Sequence, residues 1–172
     1  MSFNKNFNKK YKKFLIVKNT KNGLGVFANK NFKKGEIIFE FHGNFYSYEE
    51  IPQSEEIENH CVQIDKNLYL GPSGDIDDFF NHSCNPNAGL KIINKNKKTL
   101  LVAIKKIKKG DEITWDYSTT MDENNWEINC NCGNKNCRGR IRDFKYLPLT
   151  VQKKYLKLKI VPEYILKSFQ KK

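Results

Sequence analysis

Arginine is nearly missing from this 172-residue chain: Arg138, Arg140 and Arg142 are its only three, although Lys plus Arg total 31. Against 19 Asp plus Glu the formal net charge is +12. Long apolar runs are missing as well. No stretch approaches the roughly 20 apolar residues of a bilayer span. The first thirteen residues are polar and basic and lack the apolar core of a secretory signal. The expectation is an intracellular chain, cytoplasmic or nuclear, with no membrane partner. A disulfide scaffold is also excluded in a reducing compartment, where the crowding of Cys130, Cys132 and Cys137 reads as a metal site first. The length allows one core but neither a peptide hormone nor a multidomain machine. Aromatic content of 13% argues against wholesale disorder. Lysine is what remains in excess, and it has two readings: a surface that meets nucleic acid or another polyanion, or an AT-rich coding bias that loads tolerant positions with Lys and Asn.

Short apolar runs punctuated by glycine predict strands at Phe14 to Val17, Gly25 to Ala28, Gly35 to Phe39, Cys61 to Ile64, Asn67 to Leu70, Gly89 to Ile93 and Thr99 to Ile104. Phe32-Lys-Lys-Gly-Glu-Ile-Ile38 is echoed by Ile107-Lys-Lys-Gly-Asp-Glu-Ile113, too few copies for a repeat protein. Ser47-Tyr-Glu-Glu50 reads as a helix start, predicting a helix within Tyr48 to Asn59 that Pro52 limits. From Met121 to Asn136 the chain is polar and needs a metal or ligand to order it. Beyond Leu147 an apolar stripe on a basic background predicts two short helices broken near Pro162, packed on the domain.

Three islands carry chemistry. Gly23-Leu-Gly25 is weak alone, since glycines also serve tight turns. Asn81-His-Ser-Cys-Asn-Pro-Asn87 follows the apolar pair Phe79-Phe80, and Glu112-Ile-Thr-Trp-Asp-Tyr117 precedes Cys130-x-Cys132-x4-Cys137. Three thiolates are one short of a tetrahedral zinc shell, and Cys84 is the obvious fourth. Cys61 reads as a small buried hydrophobe.

In order and spacing these motifs resemble the SET-domain protein lysine methyltransferases with a cysteine-rich post-SET segment, over about residues 14 to 142. The resemblance implies a mainly β (α+β) fold of several small sheets with a pseudoknot joining the Asn-His and Asp-Tyr segments, a post-SET zinc lobe and C-terminal helices. The corresponding division is a basic extension (1–13), the SET domain (14–120), the zinc-binding segment (121–143) and a basic helical tail (144–172). It further implies S-adenosylmethionine as methyl donor, one structural Zn2+ held by Cys84, Cys130, Cys132 and Cys137, and a protein lysine as acceptor. Tyr117 matches the catalytic tyrosine, and Phe41 and Trp115 match lysine-channel positions. Asn22, Leu24, Gly25, Asn81 and His82 match cofactor positions, with His60, Trp126 and Ile141 as weaker candidates. Two alternatives for His82, Trp126 and Ile141 are plain packing in the core or in the zinc lobe.

The chain departs from the family pattern at Phe41, where a channel tyrosine is usual, at Trp115, where Phe or Tyr is usual, and at Asp77-Asp78. The first two leave the number of methyl groups open. The acids from Glu49 to Glu58, with Asp75, Asp77 and Asp78, concentrate negative charge before the Asn-His motif and suit a basic substrate such as a histone tail. Alternatives are a catalytically weak zinc module that binds chromatin or nucleic acid through the basic ends, and an enzyme acting on a ribosomal or translation protein. The oligomeric state is open.

Overall fold

The computed structural model describes residues 9–52, 54, 57, 59–93, 96–124 and 126–170. Ten short strands are named β1 (Leu15–Thr20), β2 (Gly23–Ala28), β3 (Ile37–Phe41), β4 (Phe45–Tyr46), β5 (Val62–Asp65), β6 (Leu68–Leu70), β7 (Ala88–Ile93), β8 (Lys98–Ala103), β9 (Ile128–Asn129) and β10 (Arg140–Ile141). Three helices are α1 (Lys9–Lys12), α2 (Leu149–Leu158) and α3 (Glu163–Gln170). The strands form four small antiparallel sheets, ordered β1-β2, β3-β8-β7, β4-β6-β5 and β10-β9. This agrees with the mainly β expectation. Of the helix expected within Tyr48 to Asn59, the described residues show an opening turn and, after Pro52, helical backbone at Ile57. A three-residue 3-10 turn, Tyr48–Glu50, is capped by the Glu50 carboxylate accepting from the Ser47 N–H at 2.9 Å. It ends at Ile51 in extended conformation before Pro52, which disfavours helical backbone in the residue preceding it. Gln53, Glu55, Glu56 and Glu58 lie outside the described residues.

The central strand β8 is apolar because both its faces are covered. Leu101 and Ala103 join one core with Phe39, Phe41, Leu90 and Trp115. Leu100, Val102 and the adjoining Ile104 join a second core with Phe144, Tyr155, Ile160, Tyr164 and Ile165 from the tail. Period-two alternation thus sorts one apolar run into two cores. Each large tail side chain buried there contributes on the order of 1.5–3 kcal/mol. Gly89 on β7 is what lets the tail approach, since a Cβ there would meet Ile160 Cδ1 at 2.8 Å.

The two lysine-glycine echoes pair with each other. Phe32 and Ile107 exchange backbone hydrogen bonds of 2.9 and 3.0 Å. The Gly35 N–H donates to Ala103 O at 2.8 Å and the Gly110 N–H donates to Ala28 O at 2.8 Å, so each turn closes on the strand that precedes the other. Both glycines sit at positive φ, 87° and 93°, which a side chain would strain. The echo is therefore a local two-fold arrangement that clamps β2 and β8 to the start of the Glu112 to Tyr117 segment.

Candidate active site

That segment runs beside the Asn81 to Cys84 segment as a short parallel bridge between His82 and Trp115. The Trp115 N–H donates to Asn81 O at 3.2 Å and the Ser83 N–H donates to Trp115 O at 3.0 Å. Extended backbone sends neighbouring side chains to opposite faces. Phe80, Trp115 and Tyr117 therefore line one cleft, while Asn81 and Thr114 line another. The paired segments are a wall between the two clefts.

The first cleft is aromatic. Phe41 stacks on Phe80 with centroids 5.7 Å apart and meets Trp115 edge-on at 6.5 Å, and Trp115 lies 4.7 Å from Tyr117. Tyr117 is held at both ends: its hydroxyl donates to Phe80 O at 2.9 Å, and its backbone N–H donates to His82 Nδ1 at 3.3 Å. Burial pushes its phenol well above the ordinary tyrosine value, so it is neutral at pH 7. The indole Nε1 of Trp115 is buried with no hydrogen-bond partner among the described residues. The acids that line this cleft are Asp77, Asp78 and Glu123, and no lysine or arginine lines it. Asp77 accepts from the His42 N–H at 2.9 Å and from the Ser73 hydroxyl, and burial raises its pKa to about 6. The Asp78 carboxylate takes the N–H groups of Ser73 and Gly74 at 2.9 and 2.7 Å. The departure at Asp77-Asp78 thus has a structural cause: both carboxylates fasten the 73–78 turn to the cleft.

The second cleft is lined by amides and charges, among them Asn22, Asn81, Lys21, Lys105, Asp111 and Glu112. The Asn81 amide donates to Leu24 O and to Glu112 Oε1, both at 2.9 Å. Gly25 makes this possible, because a Cβ there would stand 2.7 Å from Glu112 Oε1 and 2.8 Å from Asn81 Nδ2. Of the residues matched to a cofactor, Asn22, Asn81 and His82 line this cleft, and Leu24 and Gly25 support it from behind through Asn81. His60 and Trp126 line the first cleft instead. Ile141 is buried against Cys84 and Cys130, the packing alternative.

Cys84, Cys130 and Cys132 gather in one group of candidate metal donors, completed by His82 and not by Cys137. Cys130 Sγ lies 3.7 Å from Cys84 Sγ and 3.6 Å from Cys137 Sγ. Thiolates at about 2.3 Å from a tetrahedral zinc stand about 3.8 Å apart, so these donors fit the ion. Burial raises the Cys84 thiol to about 11 and Cys130 higher still, so these two need a cation to ionise, whereas at Cys132 desolvation is outweighed by hydrogen bonds, which lower the thiol to about 6. His82 Nε2 stands 3.4 Å from Cys84 Sγ, and His82, Cys84, Cys130 and Cys132 place one donor atom each within 4.8 Å of one another. The imidazole is thus a further candidate ligand. Burial lowers its pKa to about 4 and keeps it neutral, as a ligand must be.

Sequence reasoning missed the residues beneath Tyr117. Asp116 is fully buried and accepts from Arg138 Nη2 at 2.8 Å, from the Tyr155 hydroxyl at 2.9 Å and from the Ser118 N–H at 3.2 Å. The Tyr164 hydroxyl donates to Thr120 O, so the tail grips both ends of the 116–120 turn. Arg140 and Arg142 both pair with Glu127. All three arginines therefore hold carboxylates, which the planar guanidinium fork does better than lysine. Their scarcity was the available signal.

Small antiparallel sheets, a parallel pairing of two motif segments, a thiol cluster and two adjoining clefts define a β-rich domain. The SET domain family model matches residues 23–118. The chain belongs to the SET-domain family. It is 34% identical over 151 residues to the variant-silencing SET domain-containing protein of Plasmodium falciparum, covering 78% of this chain and 6% of that protein. It is 30% identical over 130 residues to human histone-lysine N-methyltransferase 2D, covering 67% and 2%. It is 32% identical over 154 residues to the H3 lysine-36 specific histone-lysine N-methyltransferase of Kluyveromyces lactis, covering 79% and 21%. Its fold matches the methyltransferase domain of human SETMAR with a TM-score of 0.63 at 24% identity, over 76% of this chain and 58% of that one. It likewise matches KRYPTONITE, solved with mCHG DNA and SAH, with a TM-score of 0.63 at 23% identity, over 76% and 29%. The chain thus spans a small part of the curated relatives it matches. Among the described residues no helix is long and apolar enough to cross a membrane.

Proposed function

We propose that this chain is a protein-lysine N-methyltransferase that uses S-adenosylmethionine and acts on a lysine in a basic segment, with a histone tail as the substrate class. The carrying observation is the contrast across one wall: in a chain of net charge +12, the cleft holding Tyr117 is aromatic and acidic without a single lysine or arginine. Carboxylates there draw in a cationic peptide, and an aromatic wall packs against the apolar stem of a lysine side chain. The names of the relatives support the same reading, since those with a stated activity are histone-lysine N-methyltransferases. A nuclear location follows from that substrate class.

The chemistry is a displacement. The lysine nitrogen lone pair forms a bond to the methyl carbon as the carbon–sulfur bond breaks, leaving a neutral thioether and a methylated ammonium. At neutral pH about one free lysine in 10³ is unprotonated. Phe41, Phe80 and Trp115 disfavour the ammonium by desolvation, and its proton leaves to solvent before attack. Tyr117, kept neutral and pinned by Phe80 O and His82, presents its oxygen lone pairs to the polarised methyl and amine hydrogens and holds nitrogen, carbon and sulfur in line. The second cleft would hold the methyl donor, and Lys21, Asp111 and Glu112 there would complement the two charges of its amino-acid end. Phe41 supplies no hydroxyl to orient the amine, so Tyr117 and the carboxylates carry that task. Zinc, when bound at the cysteines, fixes the 126–142 lobe whose Trp126 and Asn134 complete the two clefts.

The test is transfer of labelled methyl from S-adenosylmethionine to a histone mixture, with cell extract as the alternative acceptor. Label on a histone lysine is the expected result. Label only on ribosomal or translation proteins would move the substrate class. No label on either would sink the enzyme reading.

A further inference from the structure

Several lysines meet a carboxylate, across elements or along one helix. Lys97 pairs with Asp65 at 2.6 Å, Lys98 with Glu40 at 3.0 Å and Lys167 with Glu163 at 2.7 Å, and Lys30 pairs with Glu36. The arginine-lined surface at Arg138, Arg140 and Arg142 is neutralised in the same way by Asp116 and Glu127. One groove departs from this rule. Lys34, Lys105, Lys154 and Lys157 converge on it over a floor that includes Ile104 and Leu158, and no acidic residue lines it. None of these four lysines forms an ion pair among the described residues. Helix α2, which supplies two of them, has no acidic residue along its length. Burial, then the charge of Lys154, pulls the Lys105 ammonium below its ordinary value, against the opposing charge of Asp111.

We propose that this groove binds the phosphodiester backbone of duplex DNA. Coding bias accounts for lysine on a tolerant surface, but not for four lysines from three separate elements converging on a groove that, among the described residues, no acid lines. No aromatic residue lines the groove, so it offers no stacking platform for unpaired bases. No arginine lines it either, so it lacks the fork that reads guanine edges. Lysine alone serves phosphate contact that is strong in low salt and indifferent to sequence. The groove shares Asn85 and Lys105 with the second cleft and no residue with the first, which leaves the substrate cleft clear. The inference does not depend on methyl transfer.

The experiment compares the full chain, the variant K34Q/K154Q/K157Q and the control K18Q/K66Q/K91Q, which loses the same charge elsewhere on the exposed surface. Binding to a labelled 30-base-pair duplex is read by fluorescence anisotropy across a salt series. The groove variant is expected to bind about tenfold more weakly near 100 mM salt, with the log–log salt slope reduced by about 2 to 3, while the control changes by less than about threefold. Its melting temperature should not fall, because like charges have been removed. Equal loss in both variants would overturn the proposal in favour of net charge. So would no saturable binding by the full chain, or preferential binding of single-stranded RNA or polyglutamate to the same lysines.

Discussion

The cleft at Tyr117 and the cleft at Asn81 are two sides of one wall, yet their chemistry is opposite. The first is built from rings and carboxylates with no fixed cation, the second from amides with Lys21, Lys105, Asp111 and Glu112. Two paired backbone segments lie between them: alternation turns Thr114 to one cleft and Trp115 and Tyr117 to the other, while Asn81, His82 and Ser83 all border the second. Two ligands of different charge can thus be held apart and still meet at the wall. What keeps the wall in place lies outside both clefts: the thiol cluster beside His82 and the Asp116 ion pair beneath Tyr117.

The largest way to break the comparison is to remove the lobe that borders both clefts. A strong chelator should release one zinc per chain, measured by a metal-sensitive dye, with loss of S-adenosylmethionine binding and of methyl transfer together. Retained binding and transfer by the metal-free chain would show that the lobe is not needed.

Tyr117→Phe acts on one face only. Turnover should fall by about 10²- to 10³-fold, as when a transition-state hydrogen bond is lost. Peptide KM and S-adenosylmethionine affinity should stay within about threefold, measured by steady-state kinetics and calorimetry. A KM effect without a kcat effect would reassign Tyr117 to binding.

Beneath the wall, Arg138→Met leaves Asp116 buried without its cation and should cost about 3–5 kcal/mol in urea unfolding. Arg138→Lys should recover part of this, since it keeps the charge but not the fork. Tyr155→Phe removes one hydrogen bond to the same carboxylate and should cost about 1.5–3 kcal/mol. If unfolding is unchanged in all three, the tail does not support the site.

The smallest expected effect is a pH dependence confined to the first cleft. Asp77, raised to about 6 chiefly by burial, is a carboxylate above that pH and neutral below it. The KM for a basic peptide should therefore rise a few-fold between pH 7 and pH 5.5. Asp77→Asn should show the higher KM already at pH 7 and lose that dependence. An unchanged profile would remove Asp77 from substrate attraction.

The strands were legible because alternation and glycine turns are local signals, and the observed β2, β3, β5, β6, β7 and β8 lie within a few residues of the runs that predict them. The pairing of Asn81 and Trp115 was legible only through family likeness. The start at Ser47 opens only a short turn for a physical reason: Pro52 interrupts it, and helical backbone resumes at Ile57. His60 and Trp126 could not be assigned to a cleft from the sequence, since their neighbours in the chain are not their neighbours in the cleft. Asp116 was passed over because a buried carboxylate between a tryptophan and a tyrosine looks in sequence like any motif polar residue.

By itself the sequence determined the kinds of atoms available: four thiols with zinc spacing, a motif tyrosine, amide-rich loops and three arginines among many lysines. Periodicity and ligand chemistry are written residue by residue, so they survive without a structure. Only the tertiary structure decided which charges stay unpaid by a partner. The arginines turned out to be bound to Asp116 and Glu127, three acids turned out to line the cleft at Tyr117, and four lysines turned out to share a groove with no acid. Net charge adds over the chain, but the field at a site depends on distance, and distance is set by folding.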